Sequence, residues 1–162
     1  MFERFPRSSR RVVQQARDEA AELGSPNVEA EHVLLALARD SDPVVRRVLD
    51  QAGIHHEGLV EALEAQERAA LAAVGVSREE VGLPSRRPPL RRTPAWSTSS
   101  KQTIGRAHKV AVARHDRRIE PGHLLLAILR SEAGPVSRTL AFAGADPVGL
   151  AARTESELER DI

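Results

Sequence analysis

Apolar residues recur three and four positions apart along nearly the whole chain, a spacing that predicts helices. Val12, Val13, Ala16, Ala20 and Leu23 share one face of a first helix, from about Ser8 to Leu23 before Gly24, with Ser8 or Ser9 as its cap. Glu29 is placed to cap a second helix that carries Val33, Leu34, Leu35, Leu37 and Ala38. That helix is apolar almost all round, so it is expected at the centre of the fold. Pro43 opens a third helix, with Val44, Val45, Val48, Leu49 and Ala52 inward before Gly53. A fourth runs from about His56 to Val74, with Leu59, Val60, Leu63 and Ala70 inward. Four more helices are predicted at 99–114, 120–130, 135–143 and 147–159, and no segment reads as a strand.

The same pattern is written twice. At an offset of 91 positions, residues 8–59 align with 99–150 without a gap, and 17 of the 52 pairs are identical. EAEHVLLALAR at 29–39 is matched by EPGHLLLAILR at 120–130. A tandem duplication of helices implies an all-α fold of two four-helix repeats related by a pseudo-two-fold axis. Each half alone has little core, so the two must bury their central helices against each other. The expected division is 1–75 for the first repeat, 76–98 for a linker and 99–162 for the second repeat, together one compact domain.

Composition narrows the function classes. The 162 residues are 41% hydrophobic and 29% charged, with a net charge of +1, so there is no global electrostatic case for nucleic acid or an anionic membrane. The absence of cysteine removes disulfides, thiol nucleophiles and cysteine-based metal sites. No apolar run is long enough to span a membrane and MFERFPRSSRR is no signal peptide, so a cytoplasmic protein is expected. No GxxxxGK[ST] phosphate loop, HExxH pair or nucleophile elbow occurs, so neither enzymatic activity nor a cofactor or metal is expected. His32 and His123 occupy equivalent repeat positions, as a metal or catalytic pair or as helix-start residues making structural hydrogen bonds; the second reading is favoured. His55 and His56 are expected at the surface.

The linker holds Pro84, Pro88, Pro89 and Pro94, which rule out a continuous helix, and the pairs Arg86-Arg87 and Arg91-Arg92. An exposed, mobile, solvated linker is the favoured reading, and phosphate or acidic-partner binding the alternative. Four arginines without interleaved aromatics are weak grounds for nucleic acid.

Phe5, the helix pattern RRVVxxAxxEAxxLG, the EHxLLxL core and the second copy ending in AGA resemble the amino-terminal domain of Clp-type AAA+ unfoldases, and the ClpC type most closely. The resemblance covers about 1–160. It implies a protein- and peptide-recognition module without a motor. Taken as a whole protein, the chain would be a free-standing monomer that binds adaptors, substrates or Clp-directed cyclic peptide antibiotics and acts as a decoy or modulator. The alternative is the receiving N-domain of a ClpC-type unfoldase, in one chain with it or docking in trans.

The resemblance also implies site residues. Domains of this kind bind phosphorylated arginine through a Glu at the second helix and a Thr just before the first helix of each repeat. Here the first repeat has Glu31 but Pro6, and the second has Ser97 but Gly122. Each site has therefore lost one partner, and phosphoarginine binding is expected to be weak or absent. Glu31 has a second reading as a first-turn carboxylate that complements the helix dipole. A further family surface takes bulky cyclic peptides of the cyclomarin kind, and the matching positions are Phe2, Val13, Trp96 and Lys101, with Gln14 and Gly105 as departures. Phe5 is expected to pin the N-terminus to the core, whereas Phe2 and Trp96 are expected to bind ligand.

Overall fold

Proline and short polar residues set most of the helix starts. In the computed structural model, which describes residues 3–84, 86–131 and 134–161, the first repeat contains α1 (Arg7–Glu22), β1 (Asn27–Val28), α2 (Ala30–Arg39), α3 (Pro43–Gln51) and α4 (His56–Ala73). After the linker come β2 (Ala95–Trp96), α5 (Thr98–Ala113), α6 (Pro121–Leu129), α7 (Pro135–Phe142) and α8 (Pro147–Arg160). Pro43, Pro121, Pro135 and Pro147 each occupy a first helical position, where the missing N–H has no intrahelical acceptor to lose. Asp42 caps α3 by accepting from the Val45 N–H, and Asp146 caps α8 by accepting from Val148 and Gly149.

The expectation of an all-α fold with central second helices holds. All nine residues of α6 are buried, as are residues 32–37 of α2. α1 packs on α2 and α5 on α6, while α2 and α6 touch each other. The outer helices then cross between repeats, α3 on α8 and α4 on α7. One apolar cluster therefore joins Leu34, Leu35 and Leu59 of one half with Leu125, Ile128 and Leu140 of the other. Fully burying such a side chain contributes about 1.5–3 kcal/mol, so neither repeat can leave the other without exposing its core.

Several expectations are corrected. Ser8 and Ser9 do not cap α1: Pro6 is its N-cap, Ser8 Oγ donates to Glu120 and Ser9 Oγ to the Ile119 carbonyl. Both serines act between repeats, a role that spacing within one helix cannot reveal. Ala70 is exposed, because α4 runs on past the neighbour that covers Leu59 and Val60. His56 is not a free surface residue: its Nε2 lies 2.9 Å from Glu19 Oε2, and Arg39 Nε lies 2.7 Å from Glu19 Oε1. The buried Glu19 carboxylate thereby ties α1 to α2 and α4. Two strands do exist, paired in parallel as Asn27 with Ala95 and Val28 with Trp96. At two residues each they are too short for alternation to show.

The linker is exposed over most of its length and is fastened along it. Arg78 and Arg87 pair with Glu67 and Arg86 with Glu64, while Leu90 N–H donates to the Ala21 carbonyl at 2.8 Å. Among the described residues no helix is long and apolar enough to cross a membrane.

Candidate functional site

The helix starts at the repeat junctions carry most of the polar chemistry. Glu29 precedes α2, and its N–H donates to His32 Nδ1 at 2.8 Å; Glu120 and His123 repeat the arrangement at 2.9 Å. A backbone N–H is always a donor, so both Nδ1 atoms are acceptors and both rings are neutral with the proton on Nε2. His123 Nε2 then donates to Asp116 at 2.8 Å. Burial pushes His32 down to about 4 against the opposing pull of Glu29 and Glu19. The histidines thus serve as structural partners of the helix starts.

Hydrogen bonds show which ends meet, and the meeting is across repeats. Ser97 N–H donates to the Val28 carbonyl, and Ser99 Oγ lies 2.6 Å from Glu29 Oε2. Ser8 makes the equivalent bond to Glu120 at 3.0 Å. The start of α5 therefore adjoins the start of α2, and the start of α1 adjoins that of α6. Glu31 and Ser97 stand at one junction, Pro6 and Gly122 at the other, which corrects the expectation of one surviving partner in each repeat's own site. Ser97 is already occupied as the N-cap of α5, accepting from Ser100 N–H at 3.2 Å.

Glu31 lines a cleft of about 370 Å³ between α2, α4 and the linker, with Leu63, Glu64, Arg78 and Arg87 in its walls. Its Oε2 is buried without a hydrogen-bond partner among the described residues. Burial pushes its carboxyl above the usual range, countered by its own backbone N–H, with Glu29 raising it further and Arg138 lowering it. At the other junction a side chain on Gly122 would meet Leu158 Cδ2 at 2.8 Å, so that space is filled by α8.

Of the four residues assigned to cyclic-peptide binding, Val13, Trp96 and Lys101 are described. Phe2 lies outside the described residues. Trp96 is the repeat partner of Phe5: Phe5 is buried in the core as expected, and Trp96 is half-buried and packs on the same core. Trp96 is thus partly an anchor, a role hidden by its polar neighbours in sequence. Arg17 lies 5.7 Å over its ring centroid, one helical turn from Val13 on the same face of α1. Lys101 lines a cleft of about 340 Å³ with Ile104, Gly105 and His108 of α5 and with Glu3 and Arg4. A Cβ on Gly105 would meet nothing within 4 Å, so this departure opens the cleft. Gln14 donates to Asp18 on its own helix at 3.3 Å. Sequence reasoning missed Arg17, Ser99 and Arg4; the repeat offset could have flagged Ser99, as the partner of Ser8.

The sequence profile of the Clp repeat (R) N-terminal domain matches residues 4–85 and 95–161. The ATP-dependent Clp protease ATP-binding subunit ClpC of Staphylococcus saprophyticus is 26% identical over 141 residues, which cover 87% of this chain and 15% of that protein. Staphylococcus aureus ClpC is 25% identical over the same length. The chain therefore spans about a seventh of the length of the curated relatives it matches. Among solved structures, the N-terminal domain of the chaperone ClpD from Arabidopsis thaliana superposes with a TM-score of 0.73 at 22% identity, covering 98% of this chain and 97% of that one. The ClpV N-domain in its complex with a VipB peptide superposes with a TM-score of 0.61 at 22% identity, covering 96% and 88%. The double helical repeat and the family match over nearly its whole length agree: the chain belongs to the Clp repeat (R) N-terminal domain family.

Proposed function

We propose that the chain is a non-enzymatic recognition module of the Clp protease system that binds adaptors, substrates or Clp-directed cyclic peptides and acts as a decoy or modulator. The observation that carries this is the family's fold, present over nearly the whole chain, with clefts of mixed apolar and charged lining on its surface. The ClpV N-domain, of the same fold, has been solved with a peptide, which supports a peptide ligand here. The cyclic-peptide surface is assigned to Val13 and Trp96 with Phe2, flanked by Lys101. Two rings and an aliphatic wall bury a large apolar ligand with little loss of conformational entropy. Phosphoarginine would find a carboxylate in Glu31, but the Ser97 hydroxyl is already committed to its helix, so weak binding at most is assigned there.

A second reading, favoured by the likeness to ClpC, is that the chain receives substrates for a ClpC-type unfoldase, within it or in trans. Co-purification with a ClpC-type ATPase would support that reading.

Trp96 is the sole tryptophan, with no tyrosine background, so its emission tests the ligand surface. Titration with a cyclomarin-type cyclic peptide should give saturable one-to-one binding by calorimetry and a shift in emission. No heat and no shift would remove cyclic peptides from the assignment.

A further inference from the structure

The start of α1 is a place of unrelieved positive charge. Arg7 is the first helical residue and Arg10 lies one turn on; α1 has no acidic residue in its first turn, and Pro6 gives it no side-chain cap. Cations at this end oppose the helix dipole, and like charges three positions apart repel. Arg117 and Arg118, from the loop before α6, face the same broad concavity of about 800 Å³. All four arginines are exposed, and none has an ion pair among the described residues. Of the carboxylates in that concavity, Glu120 accepts from Ser8, and Glu3 lies at the exposed N-terminal edge.

The fold does not require this charge. The repeat-related positions at the other junction are Thr98, Lys101, Pro26 and Asn27, and there Ser97 caps α5. One junction thus carries a single cation among these positions and is capped, while its twin gathers four guanidinium groups, unpaired among the described residues, around N–H groups without a side-chain cap. An anion would relieve both the charge repulsion and the unmet helix donors.

Resting on the reading of the chain as a recognition module, we propose that this concavity docks an acidic peptide segment of a partner protein through Arg7, Arg10, Arg117 and Arg118. Carboxylates suit forked guanidinium groups, and the filled space at Gly122 offers no counter-charge for a cationic ligand. Nucleic acid fits less well, because Phe5 is buried and offers no stacking face.

The test uses the 162-residue protein and a fluorescein-labelled, 12-residue Asp/Glu-rich peptide, with binding followed by anisotropy. Saturable binding is expected, weakened several-fold between low and physiological salt. Arg7→Ala with Arg118→Ala should weaken it about tenfold. The charge-matched pair Arg91→Ala with Arg92→Ala, exposed in the linker, should change it less than about twofold. Without peptide, Arg7→Glu should raise the unfolding midpoint. Equal losses in the two double variants, or no saturable binding, would overturn the proposal, as would a 12-nucleotide single strand binding more tightly through the same arginines. Failure here while the cyclic peptide still shifts Trp96 would sink this inference alone; failure of both would take the recognition reading with it.

Discussion

Ser99 at the start of α5 holds Glu29 at the start of α2, with 2.6 Å between Oγ and Oε2. Ser99 Oγ also accepts from the Ala30 N–H at 3.3 Å, so one hydroxyl serves the N-cap residue of α2 and its first helical residue. A hydroxyl donating to a carboxylate is among the stronger hydrogen bonds, and this one spans the repeats. Ser99→Ala should therefore destabilise the protein by about 1–3 kcal/mol, measured by urea unfolding. Ser8→Ala, whose bond to Glu120 is longer at 3.0 Å, should cost less.

Gly24 and His115 are repeat partners that end α1 and α5 in the left-handed region, at φ 68° and 62°. His115 is the only described non-glycine residue there. His115→Gly should stabilise by about 0.5–1 kcal/mol, because glycine adopts this conformation without a Cβ penalty. Gly24→Ala should do the opposite and loosen the linker, since its Cβ would lie 2.6 Å from the Pro88 carbonyl oxygen. Gly53→Ala, with a similar φ but nothing within 4 Å, should cost less. Thermal unfolding ranks the three, and tryptic cleavage after Arg86 should speed up only in Gly24→Ala.

His32 makes stability depend on pH. Its folded-state value of about 4 lies below the ordinary histidine value near 6.5, so the unfolded chain binds more protons between these limits. The contribution is fully present above about 6.5 and is lost as pH falls toward 4. The two values differ by enough for an effect of about 3 kcal/mol at most. His32→Gln keeps an acceptor for the Glu29 N–H and cannot titrate. Its stability relative to the parent should therefore improve steadily from pH 6.5 to 4, with nitrogen chemical shifts of His32 confirming the low value.

Leu125 is fully buried in the cluster shared by both repeats. Leu125→Ala should cost about 2–5 kcal/mol. Because that cluster joins the halves, far-ultraviolet circular dichroism and Trp96 emission should still report one coincident transition. Separate transitions would mean that the repeats fold apart.

The helices, the central place of α2 and α6 and the repeat symmetry were legible because apolar period and proline placement are local signals. What was not legible depends on crossing between repeats. Ser8 and Ser9 read as caps because their acceptors lie more than 100 positions away. Trp96 read as a ligand-binding residue, and its packing against the core and under Arg17 depends on β1 and β2, which its polar neighbours do not signal. Glu31 and Ser97 were assigned to different repeats' sites, yet parallel pairing puts them at one junction. The basic group at the start of α1 was present in the letters at 7, 10, 117 and 118, but only the fold brings them to one concavity.

Under the proposed function, this chain competes for ligands of a Clp protease. The direct test adds the protein in excess to a ClpC-type unfoldase and its protease degrading an adaptor-dependent substrate, and measures the degradation rate. The rate should fall as the protein exceeds the adaptor and recover when more adaptor is supplied. A rate unchanged across that range would contradict it.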